Sequence, residues 1–266
     1  MKHMQSIKWM IGAVWMLGAC GESATEADTE TAAGEESDAA DAGDSDSASE
    51  SDTETALEGD GPQTEIPEGR EVGDFLGEVN NTYYWFLEES DYSADETVTL
   101  VDESCESLVA VDADFAADVC LEGSGRLNDG SIVNLTGTCD CGFPCGDEEE
   151  GTCFYLPDSE TFPWGVGSAD NPLVPLVSVA ANDLPFGQVL YVPAFDGVEI
   201  PEVEGLGGIV HDGCFRVDDE GYSFDDTHID IFAGTPRMYA ILESLLPTFV
   251  GLDAYDGAAH CFPDSL

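Results

Sequence analysis

Asp218, Asp219, Asp225, Asp226 and Asp230 crowd the later part of the segment HDGCFRVDDEGYSFDDTHIDIFAG from His211 to Gly234. A carboxyl can give up a proton and take one back within a reaction, provided its surroundings raise its proton affinity toward the working pH. The chain carries 57 acidic residues against six Lys and Arg. Pairs of carboxylates therefore arise by chance, and only their neighbours can mark a reactive one. In HIDIFAG, Ile229 and Ile231 alternate with His228, Asp230 and Phe232, which puts the two sets on opposite faces of a strand. Asp230 shares its face with Phe232 and is expected to be partly shielded from water. Asp219 closes the CFRVD strand, and Gly221 supplies a turn between the two segments. That spacing predicts a strand, a loop and a strand that bring Asp219 and Asp230 together. The plainer alternative is a half-exposed acid beside a hairpin.

Other chemistries fit less well. A serine or cysteine nucleophile needs a positioned base, and after residue 20 only His211, His228 and His260 are available. No G-x-S-x-G elbow is present. EGSGRLNDG (122–130) lacks the third glycine of a dinucleotide loop and reads as a turn. The acids of VDADFAADV and DDEGYSFDD lack the ligand order and glycine of an EF-hand. Cys139, Cys141, Cys145 and Cys153 are close in sequence but lack a paired C-x-x-C, so no metal and no cofactor is expected.

The elements that must position the aspartates read mostly as strands. NTYYWFLEES (81–90), SLVAV (107–111), SIVNLTG (131–137) and GQVLYVPAF (187–195) are rich in aromatic and β-branched residues, with Gly, Pro, Asn and Asp between them. That pattern suits a barrel or sandwich. One helix is expected near the end: Thr235 as cap, Pro236 in the first turn, Met238, Ile241, Leu242 and Leu245 on one face, and Pro247 as stop. Cys105, Cys120, Cys139, Cys141, Cys145, Cys153, Cys214 and Cys261 form an even set, which in an exported chain reads as up to four disulfides of open connectivity.

The first 70 residues are expected to deliver the domain rather than belong to it. Residues 1–19 read as an export signal, with Lys2 and Lys8 ahead of an apolar run too short to span a bilayer, which needs about 20 residues. Leu17-Gly18-Ala19-Cys20 resembles a bacterial lipobox, which implies lipid attachment at Cys20. Residues 20–70 hold seventeen acids, one arginine and no aromatic residue, the composition of a solvated acidic tether. Residues 71–266 are left as one domain with 40 of the 57 acids, against Arg126, Arg216 and Arg237. Nucleic acid is excluded as a partner, since it needs basic patches.

LPFGQVLYVP (184–193) followed by VDDEGYSFDDTHIDIFAG (217–234) resembles the three-aspartate (3D) domain as found in the membrane-bound lytic transglycosylase A (MltA) family. The likeness covers Pro172 to Gly234, with weaker hints from Tyr83 onward, including EGSGRLNDG, which is similar to a Q-G-S-G stretch of that family. The resemblance implies a mainly β fold: a six-stranded double-psi β-barrel with disulfide-stapled loop insertions and a short C-terminal helix. It places Asp230 on the catalytic acid/base and Asp219 on the aspartate before the T-G-G turn, both as candidate catalytic residues, with Asp183, Gly221, His228 and Phe232 as candidate substrate contacts. Where the family has T-G-G-A-I-K-G, this chain has Glu220 to Asp226, without two of the glycines and the lysine.

The chemistry so implied is lytic transglycosylation of peptidoglycan or another envelope polysaccharide. Asp230 would protonate the oxygen between MurNAc and GlcNAc, then take up the C6 hydroxyl proton as a 1,6-anhydro ring closes. The alternative is a surface lipoprotein that binds cell-wall polysaccharide without cleaving it, in the manner of expansin or barwin barrels. Either reading places the chain in the cell envelope, lipid-anchored and facing the periplasm or the cell surface from the outer membrane.

Overall fold

The computed structural model describes residues 65–93, 96–145, 151–221 and 227–261. The expected signal, Cys20, most of the acidic tether, Asp225 and Asp226 lie outside those residues.

Six strands close into a barrel: β1 (Phe75–Trp85), β2 (Ser178–Ala180), β3 (Val189–Tyr191), β4 (Cys214–Asp219), β5 (His228–Gly234) and β6 (Gly251–Asp256). Around the barrel the order is β1-β5-β2-β4-β3-β6, with β6 returning to β1. The pairs β1/β5 and β2/β4 are parallel, and the other four are antiparallel. This interleaved closed barrel is the mainly β architecture the resemblance implied. Closure removes free edges, and alternation sorts the side chains. Val79, Tyr83, Val179, Phe215, Val217, Ile229, Ile231 and Leu252 point inward and form one buried core. Each large aliphatic group so buried contributes about 1.5–3 kcal/mol.

The helix expected near the end is α2 (Pro236–Leu245). Thr235 caps it by accepting the Met238 N–H at 3.2 Å, and Pro236 occupies the first turn. Its buried stripe runs Met238, Leu242 and then Leu246, while Leu245 is 41% exposed. The expected inward position of Leu245 is thus corrected: an i+4 step keeps the face turned to the barrel, and an i+3 step rotates off it. The helix is followed by β6, so it is not the last element.

Between β1 and β2 the chain builds a second lobe. Strands Leu87–Glu88, Ser124–Arg126, Ile132–Cys139, Gly151–Tyr155 and Phe143–Pro144 form a sheet, and Thr97–Val101 pairs with Ser107–Asp112. Helix α1 (Ala113–Glu122), absent from the sequence reading, packs Phe115, Ala116 and Val119 into the core of this lobe. Asp112 caps it by accepting the N–H groups of Asp114 and Phe115. Gly123 closes it at φ +84°, a conformation that costs glycine little.

Four disulfides join Cys105–Cys141, Cys120–Cys145, Cys139–Cys153 and Cys214–Cys261. Three staple the lobe and the fourth ties β4 to the chain after β6. The Sγ atoms of Cys139, Cys141 and Cys153 gather within 4.8 Å, but each is bonded as a disulfide and offers no thiolate.

The start of the folded part also differs from expectation. Arg70, placed in the tether, makes a two-pronged pair with Asp196 at 2.7 and 2.8 Å, and Tyr191 donates to the same carboxylate at 2.6 Å. Ile66 and Val72 pack against Val189, Tyr191 and the Cys214–Cys261 bridge. Packing therefore begins several residues before residue 71. No helix among the described residues is long and apolar enough to cross a membrane.

Candidate active site

The two aspartates are not partners in a hairpin. Strand β2 lies between β4 and β5, and Ala180 is the register partner of Asp219 on one side and Asp230 on the other. Two strand spacings separate the aspartate backbones, about 10 Å. Strands β4 and β5 follow one another in the chain, yet in the barrel β2 lies between them. Asp219 and Asp230 thus flank one small residue, Ala180, which packs with Tyr84 and Phe232.

Asp230 lies opposite Thr82 on β1. The Thr82 hydroxyl donates to Asp230 Oδ1 at 2.8 Å and lies 2.7 Å from His228 Nε2. Burial pushes the Asp230 carboxyl up to about 7; the Thr82 hydrogen bond opposes this, and the charge of Asp219 adds to it. The residue nonetheless keeps some accessible surface, and Oδ2 has no hydrogen-bond partner among the described residues. A carboxyl in that state is half-charged near neutral pH and has one oxygen to offer. Burial lowers His228 to about 4, so its ring is neutral where Asp230 titrates. With the proton on Nε2, that ring donates to Thr82 and leaves the hydroxyl proton for Asp230.

Asp219 has the same residue type and a different fate. Its Oδ1 accepts from Ser168 N at 2.9 Å, Ser168 Oγ at 2.6 Å and Glu220 N at 3.0 Å, and Oδ2 accepts from the Tyr84 hydroxyl at 3.2 Å. Burial raises its proton affinity against the pull of all these donors. Gly167 makes the Ser168 contact reachable: a Cβ there would stand 2.3 Å from the Asp218 carbonyl oxygen. So many donors hold the carboxylate in one orientation and occupy it. Asp219 is thus a fixed neighbour of Asp230.

The remaining sequence candidates fall around this pair. Phe232 has no accessible surface and packs on Tyr84 with ring centroids 4.9 Å apart. It walls off Asp230 and has no surface to present to a sugar, which corrects its reading as a substrate contact. His228, 8% exposed, belongs to the Thr82 chain. Asp183 accepts the Thr227 N–H at 3.2 Å and Asn182 accepts the Gly221 N–H at 3.0 Å, so these residues hold the two stems of the segment between β4 and β5. Asp218 is buried and neutralised by a two-pronged pair with Arg216, with Ser178 donating to it. Its charge still adds to those that raise the neighbouring Tyr84 hydroxyl.

Sequence reasoning missed Thr82, Tyr84, Ser168 and Glu122. Glu122, last residue of α1, accepts the Trp85 N–H at 2.9 Å and is pushed up to about 8, mainly by burial and also by Asp230. Only Tyr84 and Thr82 carried a signal, since both alternate with core positions along NTYYWF.

No protein-family model and no curated protein matches the chain. Among solved structures it is similar to Escherichia coli MltA with bound chitohexaose, at a TM-score of 0.46 and 13% identity over 68% of this chain and 71% of that one. It is also similar to a membrane-bound lytic murein transglycosylase from Agrobacterium tumefaciens, at 0.41 and 14% over 67% and 73%. A third is the lytic transglycosylase LtgG of Burkholderia pseudomallei, at 0.28 and 16% over 65% and 63%.

Proposed function

We propose that the protein is a glycan-cleaving enzyme of the cell envelope that works as a lytic transglycosylase on peptidoglycan, with Asp230 as its single acid/base. One observation carries this reading: Asp230 is half-buried with a proton affinity near 7, oriented through one oxygen and, among the described residues, open at the other. The protonated carboxyl donates to the glycosidic oxygen as the C1–O bond breaks. The carboxylate left behind takes the C6 hydroxyl proton while O6 bonds to C1, and Asp230 returns to its starting state. No water is consumed and no second nucleophile is needed, in contrast to two-carboxylate hydrolysis. The occupied state of Asp219 and the strand between the two acids support one reagent over two.

Incubation with peptidoglycan, followed by mass analysis of the soluble products, tests this. Release of 1,6-anhydro-muropeptides by the intact protein and none by Asp230→Asn is the expected result. Reducing muramic acid ends would indicate hydrolysis, and sedimentation with the wall without any release would indicate a binding barrel; either overturns the assignment. The chain is further proposed to be lipidated at Cys20 and held at the outer membrane, with residues 20–70 as its tether. Loss of membrane fractionation in Cys20→Ser is the expected outcome.

A further inference from the structure

Where β4 meets the start of β3, the barrel carries an open cavity of about 320 Å³ lined by Ala169, Asn171, Phe186, Gly187, Arg216 and Asp218. Cys214, Arg216 and Asp218 alternate with the core residues Phe215 and Val217, so the Arg216 side chain lies outside the barrel. Its Nε and Nη2 hold Asp218 at 2.6 and 3.0 Å, and Nη1 has no hydrogen-bond partner among the described residues. The loop that fixes Asp219 through Ser168 continues through Ala169 to Asn171. Asn171 Nδ2 donates to the Pro172 carbonyl at 3.2 Å, while Oδ1 is buried without a partner. Among the described residues it is the only buried side-chain oxygen or nitrogen so left. Buried polar atoms are ordinarily paired, and an orphan beside a cavity marks a missing donor. Phe186, 44% exposed, offers an apolar face. Gly187 keeps the approach clear, since even a Cβ there would meet nothing within 4 Å.

One donor, one acceptor and an apolar face together fit a peptide group. Its carbonyl accepts from Arg216 Nη1, its N–H donates to Asn171 Oδ1 once that amide turns toward the cavity, and a small side chain lies on Phe186. A carboxylate fits less well, because Asp218 already balances the guanidinium and the chain stands at −51. Ala180 is the register partner of Asp219 and Asp230, and Ser178, two residues before it, is that of Arg216. The cavity therefore lies two to three strand spacings from Asp230 and two residues along the strands, about 12–16 Å away. An extended peptide of four residues spans about 14 Å. We propose that this cavity binds the peptide substituent of a peptidoglycan strand whose sugars lie at Asp230, through Arg216, Asn171 and Phe186. The proposal rests on the glycan-cleaving reading and extends it from the sugar to the peptide.

The test compares whole peptidoglycan with the same strands stripped of peptide by an amidase, in release and sedimentation assays on the full chain. Phe186→Ala and Asn171→Ala are the variants, since neither leaves Asp218 unpaired as loss of Arg216 would; their thermal transitions check folding. On whole peptidoglycan each should raise KM about fivefold, the weight of one hydrogen bond or one small apolar contact, with kcat held. On stripped strands the intact protein should already show the higher KM, and the variants should add nothing to it. A free stem tetrapeptide should compete with whole peptidoglycan and not with stripped strands, and its C-terminal amide should compete at least as well as the acid. Variants that weaken both substrates alike, or neither, overturn the proposal. Competition by the free acid alone also overturns it, in favour of an anion site. Sedimentation that follows the peptides without any cleavage sinks the enzyme reading and leaves the cavity its ligand. Cleavage indifferent to the peptides does the reverse, and neither binding nor cleavage sinks both.

Discussion

The two sides of Ala180 hold the same residue in two chemical states. On the β4 side, four donors converge on Asp219 and use up its oxygens. On the β5 side, among the described residues a single hydroxyl reaches Asp230 and leaves one oxygen open. Both carboxyls are crowded by protein, and burial raises both. What separates them is how many donors each was given. A fully satisfied carboxylate is a structural charge. A sparsely satisfied one keeps its proton into the neutral range and can pass it on.

This contrast can be broken most severely at Asp230. Asp230→Asn should lower glycan release by a hundredfold or more, the usual weight of a general acid/base, measured on solubilised muropeptides. The same substitution should stabilise the fold at alkaline pH. Asp230 binds its proton more tightly when folded, at about 7 against an ordinary 3.8, so stability falls as pH rises through that interval and stays low above it. At pH 8 the variant should gain roughly 1–3 kcal/mol in urea unfolding, and at pH 4 the two proteins should be equal. Thr82→Val removes the donor that holds Asp230. Its activity should drop about fivefold, the worth of one hydrogen bond, with the alkaline limb of the pH–activity profile moving up. The smallest effect is expected at Asp219→Asn. Without the neighbouring charge the Asp230 proton affinity falls, and the alkaline limb should move down by less than about one pH unit. A loss at Asp219→Asn as deep as that at Asp230→Asn would erase the distinction and return the site to a two-carboxylate scheme.

How much of this was legible in the sequence depends on the range over which each signal acts. Alternation in HIDIFAG marked Asp230 as a half-shielded residue because strand faces are set locally. The capping of α2 by Thr235 was equally local. Helix α1 was readable in the same terms, with Asp112 as cap, Phe115, Ala116 and Val119 on one side and Gly123 as stop. Its three aspartates, Asp112, Asp114 and Asp118, mask that pattern by resembling the acids of a calcium loop. The insertion of β2 between β4 and β5 had no local trace, since residues 178–180 come some 35 positions before β4. For the same reason Ser168 and Glu122 could not have been attached to the site: each reaches it from another part of the chain, Ser168 through two hydrogen bonds to Asp219 and Glu122 through one from the Trp85 N–H. The resemblance pointed to the right architecture while the inferred hairpin pointed to the wrong neighbours.

The Arg70–Asp196 clamp bears on how the molecule takes load. A pull on the chain ahead of residue 65 meets a two-pronged ion pair and the Ile66 and Val72 contacts first. From there it passes into the corner closed covalently by Cys214–Cys261, before it reaches β1. Strand β1 carries Thr82 and is flanked by β5 and β6; peeling it away would uncouple Asp230 from its hydroxyl. The clamp acts as the strain relief on a cable. Tension on the leading segment is spent at the casing, and the joint behind it keeps its alignment.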